Sequence, residues 1–427
     1  MSVNPAALSR RSSTAVAITI IGVLFFIFGF VTWLNGILIP YLQIACELTN
    51  FQALFVAFAF YISYFVTALP SAWVLEKTGF KNGMTLGLLV MAVGTLLFVP
   101  AALSRTYGLF LTGLFVMGTG LSILQTASNP YVTILGPRES AARRISIMGI
   151  CNKLAGAIAP LILAYFILND GDAFVENLAS LSEPARQAAL DGLARRVINP
   201  YLVMTLVLVV LGIGIRFTSL PDINAEDDTE SDENFEAPRR NIFAYPHLIF
   251  GVIAMFFYVG AEVVAGDTII RYGISLGINI AVAKAFTSYT LVSMLAGYIL
   301  GIILIPRYLS QRMALLFSAI LGLLFTLAAV FTSGLTSVFF IAILGFANAL
   351  VWPAIWPLAL HNLGPYIKIG SAMLIMAIAG GAVLPLIWGW LSDHLPTAPQ
   401  FAYLMLLPGY LIILYYAAKG YKLKNHV

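Results

Sequence analysis

Apolar runs long enough to cross a bilayer recur twelve times along this chain, and that recurrence limits its fold more than any motif does. The runs, here called spans 1 to 12, fall roughly at 15–43, 48–74, 81–103, 107–135, 144–168, 198–220, 245–272, 279–305, 312–333, 335–361, 369–392 and 399–419. A helix needs about 20 mostly apolar residues to cross the hydrocarbon core. Backbone polar groups in lipid must be satisfied internally, so only helices and closed barrels can span it. The short alternating strands of a membrane barrel are not seen in the sequence. Charged residues make up only 10% of the chain, against about 25% in soluble domains. The expectation is an all-α integral membrane protein of twelve transmembrane helices.

Even numbers of spans put both termini on one side. Sixteen of the 23 Lys and Arg residues fall on that side, among them Arg143, Arg144, Arg312 and Lys368. Six fall on the other, and Lys153 lies within span 5. By the positive-inside bias both termini are cytoplasmic, in a plasma membrane of the bacterial inner-membrane type. The net charge of +4 is then a topology signal, and nucleic acid is not an expected partner. Membrane lipid is, and the chain reads as a monomer. Span 1 carries Trp33, Asn35 and Pro40 and no small-residue cleavage site, so it reads as a retained helix. Cys46 and Cys151 offer neither a disulfide framework nor metal spacing. No nucleotide loop, metal cluster or Ser-His-Asp arrangement appears, which argues against an enzyme and against a bound cofactor.

A repeat divides the chain. "SIMGICNKLAGAIAPLI" (146–162) aligns without a gap on "SAMLIMAIAGGAVLPLI" (371–387), at a constant offset of 225 residues. Where the first copy has Asn152 and Lys153, the second has Ala377 and Ile378. Just upstream, "NPYVTILGP" and "WPLALHNLGP" also correspond. Two pseudo-symmetric six-helix halves follow: residues 1–220, an acidic cytoplasmic linker at 221–243, and residues 244–427. The stretch 221–240 carries eight acids and cannot bury a core. A second polar joint, 169–197, contains "EPARQAALDGLARRV", which suits a short amphipathic surface helix. Parallel repeats of this kind place a cavity between the halves near mid-membrane. Spans 1, 4, 7 and 10 line it most directly.

Four stretches carry a family resemblance: "FGFVTWLNGILIPYLQ", "LTNFQALFVAFAFYISYF", "GLSILQTASNPYVTILGP" and "NLGPYIKIGSAMLIMAIAGGAVLPLIWGWLSD". Together they resemble the fucose permease and glucose/galactose transporter family of the major facilitator superfamily. "EKTGFK" (76–81) resembles the superfamily's loop between spans 2 and 3, with Glu76 and Lys77 in place of the usual Asp-Arg pair. The resemblance implies sugar uptake by alternating access, often coupled to an ion gradient. Two departures stand out. The proton-coupled fucose pattern has aspartate after Leu-Asn in span 1, where this chain has Gly36. Its span-4 carboxylate falls on Gln125.

Within the spans, ionisable residues are costly, with insertion scales near +2.5 to +3.5 kcal/mol for a central lysine or aspartate. Lys153 therefore reads either as a cavity cation or as half of a buried ion pair. Glu262, in "YVGAEVVAGDT", is the leading carboxylate for coupling or gating. It is also the natural partner for Lys153. Asp267 has Arg271 four residues on, which suggests a surface ion pair. Sugar hydroxyls both donate and accept hydrogen bonds, and amides match them. Asn35, Gln125, Asn129, Asn152 and Asn348 supply amides on cavity-facing spans, although any one of them could instead hold helices together. Trp352 and Trp356, four apart, could form one aromatic platform for a sugar ring or simply pack the core. Tyr61, Tyr64 and His361 are weaker candidates. The leading reading is a secondary active importer of a hexose or N-acetylhexosamine, with a sodium ion or proton moving alongside. The alternatives are an uncoupled facilitator and, from another class, a non-transporting membrane sensor.

Overall fold

In the computed structural model the described residues are 5–135, 137–168, 170–218, 241–278, 280–283, 285–395 and 397–423. Helices dominate them, and no strand occurs among them. Eleven helical stretches are long and apolar enough to cross a membrane. The twelfth is hidden in one of them. Spans 2 and 3 run together as Gln52–Ser104, through a bend at Gly79 with φ 74° and ψ 172°. Glycine takes that backbone state without a Cβ clash. Residues 221–240, expected as the acidic linker, lie outside the described residues.

Four spans are interrupted along their length. Span 1 splits at Leu34 into Pro5–Trp33 and Asn35–Ala45. Span 7 stops at Asp267, and Ile269–Ser275 follows after Thr268. Span 10 breaks between Gly334–Asn348 and Val351–Ala359. Span 11 passes through a tight three-residue turn, Ala377–Ala379, between Ile367–Met376 and Gly380–His394. Its repeat partner, span 5, is one uninterrupted helix, Ala141–Ile167. Broken helices are tolerated at membrane depth only where protein or a cavity covers the freed backbone.

Glycines set how closely the helices approach. Lipid offers no hydrophobic drive between helices, so small residues that admit a neighbouring backbone do that work. A Cβ on Gly29 of span 1 would lie 1.9 Å from the Asn152 carbonyl oxygen of span 5. In the other half the glycine sits on the opposite partner. A Cβ on Gly380 of span 11 would lie 1.8 Å from the Phe256 carbonyl oxygen of span 7. Spans 3 and 4 meet through Gly87 against Gly120 and Gly94 against Gly113.

At the joint of spans 4 and 5, buried Arg144 donates to the Val132, Thr133 and Pro137 carbonyls at 3.0, 2.7 and 2.9 Å. It thereby satisfies carbonyls left free at the end of helix Tyr107–Ile134. At the face opposite the termini, the expected surface helix is present as Glu183–Arg195. It buries Leu190, Leu193 and Ala194. The Tyr41 hydroxyl lies 2.8 and 3.0 Å from the Leu193 and Ala194 carbonyls.

Candidate functional site

The broken spans surround a central cavity of about 100 Å³. Spans 1, 2, 4 and 5 of one half and 7, 8, 10 and 11 of the other contribute its walls. Small-molecule pockets usually measure about 300–1,000 Å³, so this cavity is smaller than a typical one. The two halves touch on both sides of it. Toward the termini, the Gln311 amide donates to the Glu139 carbonyl at 3.1 Å, and Lys368 lies over the Phe80 ring at 5.8 Å. Toward the opposite face, a Cβ on Gly389 would lie 3.2 Å from the Leu54 side chain.

Lys153 and Glu262 form a direct ion pair across the cavity, joining span 5 of one half to span 7 of the other. Both are buried, at 6% and 9% exposure. The pair answers the question raised by a lysine in an apolar helix, because each charge offsets part of the other's desolvation cost. Lys153 also lies 4.4 Å from the centre of the Trp33 ring. That indole is wedged between the halves: a Cβ on Gly156 would meet it at 2.3 Å and one on Gly266 at 3.0 Å. Its ring nitrogen is buried without a hydrogen-bond partner.

The amides divide. Gln125 and Asn152 line the cavity, and the Gln125 amide donates to the Tyr64 hydroxyl at 3.2 Å. Asn35 is buried beside Tyr61, and neither atom of its amide makes a hydrogen bond of good geometry. Asn129 and Asn348 are not in the cavity lining. Asn129 donates back to the Gln125 carbonyl at 3.0 Å, and Asn348 accepts from the Tyr410 hydroxyl at 2.9 Å. Both serve helix packing in this state. The tryptophans divide too. Trp352 lines the cavity, whereas Trp356 is fully enclosed behind it at 5.7 Å between ring centres. Glu76 and Lys77 are exposed at the bend between spans 2 and 3, remote from the cavity, with Lys77 over the Trp73 ring at 3.7 Å.

Asp267 departs from the sequence expectation. Asp267 lies within electrostatic reach of Lys153 and Glu262, and Arg271 within that of Asp393. Thr268, where span 7 is interrupted, lies between Asp267 and Arg271. The aromatic lining of Trp33, Tyr258 and Tyr298 was missed altogether. Aromatic residues in an apolar helix carry no pattern that separates cavity wall from core. Tyr61 and Tyr64, weaker candidates in the sequence, both line the cavity.

Two repeat-related sets of helices around a cavity crossed by an ion pair define a polytopic membrane protein. Residues 21–368 match the Major Facilitator Superfamily model, and the chain belongs to that superfamily. It is 34% identical over 417 residues to a glucose/galactose transporter of Brucella abortus, covering 97% of this chain and 96% of the relative. It is 30% identical to the L-fucose-proton symporter of Escherichia coli, covering 88% and 87%. The crystal structure of FucP, a major facilitator transporter in the outward conformation, superposes with a TM-score of 0.80. The identity there is 28%, over 95% of this chain and 99% of the other.

Proposed function

We propose that this protein is a secondary active sugar importer, taking a hexose or N-acetylhexosamine by alternating access of its two halves. The observation that carries the reading is the cavity between the halves, lined by rings and amides and crossed by the Lys153–Glu262 pair. Rings cover the apolar faces of a pyranose, and amides match its hydroxyls. The relatives named for glucose/galactose and fucose transport support the same substrate class. Trp352, Gln125 and Asn152 are the residues proposed to touch the sugar, with Asn35 close behind Tyr61. Asn129, Asn348 and Trp356 act as their support. Glu262 and Lys153 are the proposed gating pair, holding the halves together until sugar and a coupling cation replace their contact. Glu76 and Lys77 are proposed to act at the cytoplasmic turn between spans 2 and 3. The proposed division is 1–220 and 244–427 around the acidic linker, with both termini cytoplasmic in a bacterial-type inner membrane and the monomer as transporting unit.

Uncoupled facilitation is the second reading. Gly36 and Gln125, standing where the fucose pattern has carboxylates, favour it. The deciding experiment is uptake into proteoliposomes against a sugar panel, with sodium and pH gradients imposed separately. Accumulation above equilibrium supports the importer. Equilibration alone supports the facilitator, and no movement of any sugar overturns both.

A further inference from the structure

We propose that the basic turn where the end of span 12 meets the start of span 9 binds the phosphate of an anionic phospholipid. Arg312, Lys419, Tyr421 and Lys422 form the site, in the leaflet on the side of the termini. It stands independently of the sugar reading.

The geometry brings two cations to one ring. Span 12 ends in helix Leu407–Ala418, and the chain then makes the tight turn Gly420–Lys422. The Lys422 amide donates to the Lys419 carbonyl at 3.0 Å. Gly420 is buried, and a Cβ there would lie 3.0 Å from the Tyr416 ring, so the turn is held against the bundle. Arg312, in the first turn of helix Gln311–Phe331, donates through Nε to the Ala417 carbonyl at 3.2 Å. Among the described residues its two terminal nitrogens make no hydrogen bond. The Arg312 guanidinium lies 5.5 Å from the centre of the Tyr421 ring, and the Lys422 ammonium lies 5.6 Å from the same centre.

Charge points to an anion. The acids of residues 244–427 are Glu262, Asp267 and Asp393. Glu262 lines the central cavity, Asp267 ends helix Pro246–Asp267 beyond it, and Asp393 lies past Gly389 toward the opposite face. The turn therefore has no carboxylate of its own half to pair with. Across the boundary between the halves, Glu139 meets Gln311 through its backbone carbonyl, not its carboxylate. Two like charges about one ring repel each other, and an anion between them relieves that. The free fork of Arg312 suits a phosphate, which it can grip through two parallel hydrogen bonds.

Depth points to a lipid. On span 12 the exposed residues Leu411 and Tyr415 lead, in steps of four, to exposed Lys419. The Lys419 amide still donates to the Tyr415 carbonyl at 2.9 Å, so it keeps the helical register, and the three share one face. Span 8 leaves the bundle just past exposed Ile303 and presents Arg307, 5.2 Å from the ring centre of exposed Tyr308. Apolar residues exposed on a membrane helix face hydrocarbon, so the cations that follow them stand at headgroup level. Tyrosine is enriched at that level, and basic clusters flanking a span bind anionic headgroups. The rival occupant is the stretch 221–240 of this chain, with eight acids. The apolar face running into the site favours a molecule that has an acyl chain as well as a charge.

The test uses the full chain in detergent micelles doped with phosphatidylglycerol or, at equal mole fraction, phosphatidylcholine. Melting temperature is expected to be higher with phosphatidylglycerol, and the difference should shrink as salt is raised. Lys419→Gln/Lys422→Gln leaves the Arg312 bond to Ala417 in place and should lose most of that difference. Native mass spectrometry should show fewer phosphatidylglycerol molecules retained by it. Arg216→Gln, which removes an exposed cation at the end of span 6, should keep the difference. Should the double variant fail to fold, Lys422→Gln alone is read in the same way. Equal melting in the two lipids overturns the proposal, and so does a difference that the lysine variants keep in full. Inorganic phosphate reproducing the gain in lipid-free micelles would make this a site for free phosphate and overturn the lipid. A gain from phosphatidylglycerol that appears only when the eight acids of 221–240 are replaced by their amides would give the turn to that stretch, and overturn it too.

Discussion

Lys153 and Glu262 hold each other across the boundary between the halves, so removing either alone strands a buried charge. Breaking a buried pair typically costs about 3–5 kcal/mol, whereas replacing both partners with uncharged groups is often neutral. Lys153→Ile, which installs the residue found at Ile378 in the repeat, is therefore expected to lower the melting temperature sharply. The double variant Lys153→Ile with Glu262→Gln should recover much of that loss while remaining unable to accumulate sugar. Equal melting of the single and double variants would reduce the pair to a contact of no energetic weight. Trp352 and Trp356 give a second prediction. Of the two, only Trp352 reaches the cavity, which Trp33 lines as well, so Trp352→Leu should reduce a sugar-induced change in tryptophan fluorescence to the share contributed by Trp33. Trp356→Leu should keep it, with a lowered melting temperature from the cavity left by a large buried ring. The reverse pattern would misplace the sugar. Lys153 was legible in the sequence because its own repeat supplied an apolar reference. Trp33, Tyr258 and Tyr298 had no such contrast, since an aromatic ring fits a core and a cavity wall equally well.

Elements were legible in number and type but not at their interruptions. Hydrophobic length marked the spans because lipid demands it, whereas the break at Thr268, where the Thr287 hydroxyl takes the Gly266 carbonyl, involves a partner from another span. Close backbone approach likewise depends on partners distant in sequence. Gly29 and Gly380 are therefore expected to resist alanine, since a Cβ would strike the Asn152 or Phe256 carbonyl. Overpacking of this kind costs about 1–3 kcal/mol. Gly36→Ala, with nothing within 4 Å of its Cβ position, is the matched control and should melt as the unmodified protein does. At the face opposite the termini, the hydrogen bond from Arg196 holds the Asp170 carboxyl below its usual pKa. The contribution of that pair is present above the ordinary carboxylate pKa and fades as pH falls through the lowered value. The pair is largely exposed, which limits it to about 0.2–1 kcal/mol. Asp170→Asn should therefore melt slightly lower at neutral pH, with the gap closing in acid. A gap that widens in acid would reverse the sign.

Scale of the whole molecule adds what no single helix shows: the halves touch on both sides of the cavity at once. Spans 2 and 11 meet through Lys368 and Phe80 near the termini and through Leu54 and Gly389 at the opposite face. Alternating access requires these two contacts to separate in turn. The two-half plan was legible in the repeat, because a duplicated helix pattern needs a duplicated bundle. The degree of closure was not, because it depends on a balance between the two contacts that no local pattern encodes. Cross-linking tests that balance. A Leu54→Cys/Gly389→Cys pair, in a background with Cys46→Ser and Cys151→Ala, places two thiols where the halves touch at 3.2 Å from the added Cβ to the Leu54 side chain. Joining them with a short reducible thiol-reactive linker should seal that face and stop sugar uptake, and reduction should restore it. The single-cysteine variants, treated alike, should transport throughout. Uptake that continues in the fully cross-linked protein would mean that this contact never opens, and the rocking of the two halves would have to be abandoned.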